Sequence, residues 1–234
     1  MSAHHSIGAL ALALLSSAAA AQGYPSKPVR VVVSFPPGAG VDIVARTVMP
    51  KLADALGQQF VIDNRAGASG NLGSEVAAHA PPDGYTLLFT PASVASSQAL
   101  YTKLNYNLVR DLEPISNVAA APFVLVVHPS LPVKTVKELI AMAKAKPGQL
   151  LYASTGNGGS PHLATEMFRQ QAKIDITHIP YKGTPPAVTD LIAGQVSMMF
   201  ANTLSVLPYV GSEEHTSELQ SHLNLVCRLL LGKK

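Results

Sequence analysis

The 234 residues are 47% hydrophobic and only 13% charged, about half the usual charged share, which excludes a disordered or coiled-coil chain. Seventeen Lys and Arg against 14 Asp and Glu leave a formal charge of +3, yet the basic residues are scattered and no aromatic pair sits among them, so nucleic-acid binding is not expected. The single cysteine, Cys227, excludes an internal disulfide or a multi-cysteine zinc site.

The first element in chain order is a targeting segment. Ile7 to Leu15 reads IGALALALL and runs into the small residues SSAAAA. This stretch is far shorter than the roughly 20 apolar residues of a membrane span, and its pattern is that of a secretory signal peptide. Residues 1–21 are therefore expected to be removed, with Ala19 and Ala21 as the small residues of the cleavage site. The leading segment offers His4 and His5 but no Lys or Arg. The mature chain is expected to be exported.

Val29 to Phe35 (VRVVVSF) is short, β-branched and bounded by prolines, the pattern of a strand buried on both faces. After Pro36-Pro37-Gly38-Ala39-Gly40 the period changes: Val44, Val48, Leu52 and Leu56 predict a helix from Asp42 that stops at Gly57. The alternation returns. Phe60–Ile62 precedes a helix through Val76; Thr86–Phe89 precedes small residues; Val124–Val127 precedes a helix over Thr135–Ala145. Leu150–Ala153 is followed by a helix from Pro161, Ile176–Ile179 by one from Pro185, and Ser197–Phe200 closes the series. Strands alternating with helices predict an α/β fold with a largely parallel sheet.

In such sheets ligands bind beyond the carboxyl ends of the strands. Two loops there are rich in glycine. PPGAGVD, Pro36 to Asp42, offers successive backbone N–H groups at a helix start, where the dipole favours an anion. STGNGGSPHL, Ser154 to Leu163, adds the hydroxyls of Thr155 and Ser160. Either loop alone reads more readily as a plain turn, but two in separate halves of one exported chain point to anion capture. Neither carries GxGxxG or a Walker lysine, and Ser160-Pro161-His162 does not set a base against the hydroxyl. The eight histidines form no HxxxH or HxH set, so no metal is expected. Asp42 and Arg46, four apart, read as a solvated ion pair. Lys134, Lys137, Lys144 and Lys146 read as an exposed face, and Met198 and Met199 as core.

Six ordered motifs carry a family resemblance: VVVSFPPGAGVDIVAR, VIDNRAGASGNLGSEVAA, PPDGYTLLF, LVVHPSLPVKTVKELI, YASTGNGGSPHLATEMF and HIPYKGTPPAVTDLIAGQV. The chain resembles, over about Tyr24 to Val210, the substrate-binding proteins of tripartite tricarboxylate transporters, also called Bug receptors. The resemblance implies a two-lobed periplasmic-binding-protein type II fold, with lobes at 22–121 and 122–210. It also implies capture of a small organic carboxylate (a di- or tricarboxylate, an aromatic acid or an acidic amino acid), with membrane transporter subunits or a sensor as partner. A monomer without cofactor or catalysis is expected. Carried over by position, one carboxylate meets the amides of Gly38, Ala39 and Gly40 with Asp42 at the rim. The opposing lobe supplies Thr155, Gly158, Ser160 and His162, and Tyr181, Lys182, Asn202 and Ser93 complete the wall.

The resemblance stops near Val210, where SEEHTSELQSH begins. This stretch reads as translated sequencing adapter, so 211–234 is expected to be a non-native tail and the first lobe incomplete. A genuine C-terminal helix is the other reading, since Leu219, Leu223, Val226 and Leu230 share a helical face. The rival functions are a secreted α/β enzyme acting on an organic acid, which needs a nucleophile, acid–base pair or metal, and a ligand-sensing partner of a membrane receptor.

Overall fold

The computed structural model describes residues 23–210. The expected signal peptide and C-terminal tail lie outside them. Two sheets form two lobes. The first is β1 (Val29–Val33) flanked by β2 (Phe60–Asn64) and β3 (Thr86–Phe89), all parallel, in the order β2-β1-β3. The second joins β4 (Phe123–Val127), β5 (Leu151–Ser154), β6 (Thr177–Pro180) and β7 (Met198–Asn202) in the order β4-β7-β5-β6.

β1 is the central strand of its sheet, and Val29, Val31, Val32 and Val33 are fully buried. Helix α1 (Gly40–Leu56) follows it and ends at Gly57, whose φ of 67° places it in the left-handed region while its N–H donates to Ala53 O. The helix packs through Ala45 and Met49, with Val41, Val48 and Leu52 beside them, on Val31 and Val33. The face is thus centred one residue later than the Val44-Val48-Leu52-Leu56 stripe, and Leu56 is exposed. A strict four-residue spacing drifts off a 3.6-residue helix, and small Ala45 permits the closest approach to the sheet. After β2 come a 3-10 turn at Ala68–Gly70, helix α2 (Asn71–Ala78) and, after β3, helices α3 (Val94–Leu100) and α4 (Leu108–Asp111). α2 lies tight on the end of β1: a Cβ on Gly73 would stand 2.7 Å from Ser34 Cα and 2.9 Å from Arg65 O. Residues 112–122 then cross without regular structure, and Ile115 on them is 79% exposed.

The second sheet is covered on both faces. Val124, Val126, Ala153, Met199 and Ala201 face α7 (Thr184–Ile192) and α8 (Thr203–Val210). Leu125, Tyr152 and Met198 face α5 (Val136–Ala145) and α6 (Ser160–Ala172). Met198 and Met199 are fully buried on opposite faces, so each contributes about 2 kcal/mol of apolar burial to a different core. The parallel expectation has one exception. β4 is antiparallel to β7, with Phe123 opposite Asn202, because the chain arrives from the first lobe at the end where β7 finishes and must run away from it.

Candidate functional site

The carboxyl ends of β1 and β2 face those of β5 and β6 across a cleft of about 220 Å³. From the first lobe its wall takes Phe35 and Pro36, the turn 66–70 and Tyr101; from the second, 155–157 and 180–183. The lobes touch. Ser69 Oγ and Tyr101 OH both donate to Asn157 O, at 2.6 and 3.0 Å. A Cβ on Gly158 would lie 2.8 Å from Leu100 Cδ1, and one on Gly183 would strike the Pro36 ring. Ala68 and Ser69 hold φ of 46° and 55°, a left-handed pair that is strained for residues other than glycine. Lys182 is the one charged side chain among the described residues of the wall, and no carboxylate lines it.

Three of the expected site residues stand in this wall: Thr155, Tyr181 and Lys182. Thr155 is 6% exposed and its Oγ1 has no hydrogen-bond partner. Such a buried hydroxyl costs about 1–3 kcal/mol unless something bonds to it. Tyr181 packs against the core of the second lobe, and its hydroxyl donates to Asp190 Oδ2 at 2.7 Å. Burial first, and then that bond, push the phenol up to about 12. Lys182 is exposed and forms no salt bridge with a described residue.

The other nine do not line the cleft. Gly38, at φ 82°, donates its N–H to Asp42 Oδ2 at 3.0 Å, and Ala39 donates to Pro36 O at 3.2 Å. Gly40 opens α1 so close to Asn202 that a Cβ would lie 2.9 Å from Asn202 Oδ1, which itself accepts the N–H of Leu204 at the start of α8. Asp42 is not a solvated partner of Arg46. It is 2% exposed and accepts from Gly38 N, Arg46 Nε and Asn64 Nδ2. Burial pushes its carboxyl upward, but these donors outweigh burial and hold it below the usual carboxylate value. Ser93, just before α3, is buried with its Oγ unpartnered. Gly158 donates to His162 Nδ1 at 3.2 Å, and Ser160 is the first residue of α6. Among the described residues no cluster of three or more His, Cys, Asp or Glu could hold a metal, and no helix is long and apolar enough to cross a membrane.

Sequence reasoning passed over the turn 66–70, Tyr101 and Asn157. The first had a signal, since AGASG directly follows β2 and glycines flank a serine. Tyr101 had none, because only the approach of α3 to the opposite lobe brings it to the cleft.

The family profile described as "Tripartite tricarboxylate transporter family receptor" matches residues 44–219. The chain belongs to this family. Protein BugT of Bordetella pertussis is 39% identical over 205 residues, 87% of this chain and 63% of BugT. Among solved structures, R. palustris Rpa4515 with adipate is 36% identical with a TM-score of 0.78, covering 80% of this chain and 63% of that one. MatC from Rhodopseudomonas palustris with bound malate is 31% identical with a TM-score of 0.72, covering 80% and 64%. The chain spans about 60% of the length of the curated relatives it matches. The two-lobed α/β fold of this receptor chain is that of periplasmic binding proteins.

Proposed function

We propose that this receptor chain captures a small organic carboxylate in the periplasm and presents it to the membrane subunits of a tripartite tricarboxylate transporter. The observation that carries the reading is Lys182, the one charged side chain among the described residues of the cleft wall, together with the Thr155 hydroxyl, buried in the same wall without a partner. A carboxylate supplies what both groups lack. Hydrogen bonds to a charged group contribute about 1.5–3 kcal/mol each, and micromolar affinity needs about 8 kcal/mol net, so four or five such bonds suffice after ordering costs. Among the described residues the wall has no carboxylate to pair with an ammonium group, which favours a di- or tricarboxylate over an acidic amino acid. The related structures hold adipate and malate, acids of fitting size for this cleft. Removal of residues 1–21, lobes at 22–121 and 122–210, a monomeric state and binding without catalysis belong to the same reading. Calorimetry of the full chain with adipate, malate, glutamate and an aliphatic amine tests it: the two dicarboxylates bind, the amine does not, and failure of every acid to bind overturns it.

A further inference from the structure

Behind the Thr155–Gly158 loop three rings are stacked. His178 of β6 lies over Tyr152 of β5 with ring centres 4.7 Å apart, and over His162 of α6 at 4.4 Å. His178 Nε2 is 2.6 Å from Ser154 Oγ, and the Gly156 N–H donates to the same oxygen at 3.1 Å. The Ser154 hydroxyl also lies 3.3 Å from Gly156 O, so it can bond to His178 as donor or as acceptor. His162 Nδ1 accepts the Gly158 N–H at 3.2 Å. A backbone amide can only donate, so this nitrogen is bare. The two histidines thereby grip the loop on either side of Asn157, whose carbonyl receives Ser69 and Tyr101 from the other lobe.

We propose that His162 is a positioning residue which holds the Thr155–Gly158 loop through its bare Nδ1, so that ligand binding at the cleft weakens when that ring takes up a proton. The inference rests on the carboxylate-receptor reading above. A proton on Nδ1 turns this acceptor into a donor facing the Gly158 amide, which can only donate, and the loop loses an anchor, whereas a protonated His178 still finds an acceptor in the Ser154 hydroxyl. The titratable and charged groups facing the rings are Tyr152 on β5 and Glu166 and Arg169 on α6, besides the rings themselves. Glu166 is already engaged, accepting from Tyr152 OH at 2.6 Å and Arg169 Nε at 3.0 Å. Burial is the main cause that lowers both imidazoles; His162 lowers His178 further, to about 4, while Glu166 opposes in each case. With the loop released a histidine titrates near its ordinary value of about 6.5. The released state therefore binds a proton more readily than the held one, and affinity is full above about pH 6.5 and falls below it, by at most roughly tenfold per pH unit.

The test uses the full chain, with adipate and malate as probes, titrated calorimetrically across this range. Wild type should lose affinity as pH falls below about 6.5, by at most roughly tenfold per pH unit relative to a variant that cannot titrate at this position, a comparison in which the probes' own carboxyl titration cancels. His162→Phe, which keeps a stacking ring but no acceptor, should bind more weakly throughout. His162→Asn, whose amide oxygen accepts without titrating, should regain part of that loss and show a flatter acid limb. Nitrogen-15 spectra of the unliganded protein should show a bare Nδ1 on His162 at neutral pH. An acid limb unchanged in His162→Asn, or a protonated Nδ1 on His162 at neutral pH, overturns the proposal. If neither probe binds at any pH, the carboxylate reading fails, while the ring nitrogens still decide the positioning claim.

Discussion

The loops after β1 and β5 look alike in sequence, both glycine-rich and both opening a helix, yet they are built to different ends. In the first, the buried Asp42 carboxylate draws in the Gly38 amide and Ala39 closes on Pro36 O, so its polar groups are turned inward. The second also anchors its amides, on Ser154 and His162, but leaves the Thr155 hydroxyl unpartnered and hands the Asn157 carbonyl to the other lobe. Glycine content marks where a backbone can turn tightly. Whether polar atoms remain open to a ligand is decided by the side chains that collect them.

The sharpest way to break the contrast is Asp42→Ala. Three donors lose their acceptor, and the fold should lose about 2–3 kcal/mol in chemical denaturation. Asp42 also carries a pH signature. Its carboxyl sits below the usual value in the folded protein, so its contribution is present above the unfolded value and lost as pH falls through the folded one. The acid limb of the melting temperature should flatten in Asp42→Asn relative to wild type. Next in size is Gly158→Val, which places a β-branched residue at φ 76° and against Leu100; a loss of about 1–3 kcal/mol is expected, again by denaturation. Thr155→Val should do the reverse of a damaging core change. It removes an orphan hydroxyl, so the unliganded melting temperature should hold or rise, while adipate affinity falls by about 1–2 kcal/mol in calorimetry. An equal loss of stability and affinity would show that Thr155 is structural. Smallest is Ser69→Ala, which removes one of two donors to Asn157 O; about 1 kcal/mol of affinity should go with little change in melting temperature.

The alternation of short β-branched runs with helical stripes made the α/β class legible, and Gly57 marked the end of α1 because a left-handed cap has a strong residue preference. The reversed β4 was not legible, since a strand's direction depends on where the chain enters the sheet and not on its own residues. At the site, Thr155 was marked by its glycine-rich loop directly after a strand, whereas Tyr181 and Lys182 came only from the family resemblance; all three stand in the wall. Asp42 was read as exposed from its four-residue spacing to Arg46, whereas its burial depends on Asn64, eighteen residues beyond Arg46 and brought alongside by β1–β2 pairing. Tyr101 and the histidine stack likewise exist only through contacts between segments far apart in sequence.

Because Phe123 stands opposite Asn202, the strand that enters the second lobe begins beside the end of β7. Thr203 clasps the two there, its N–H and Oγ1 both donating to Pro122 O at 3.2 and 2.8 Å, and α8 then packs against α1. The crossing segment and the first turn of α8 thus share one acceptor, so the covalent link between the lobes and a helix that meets the first lobe are buckled together rather than set independently.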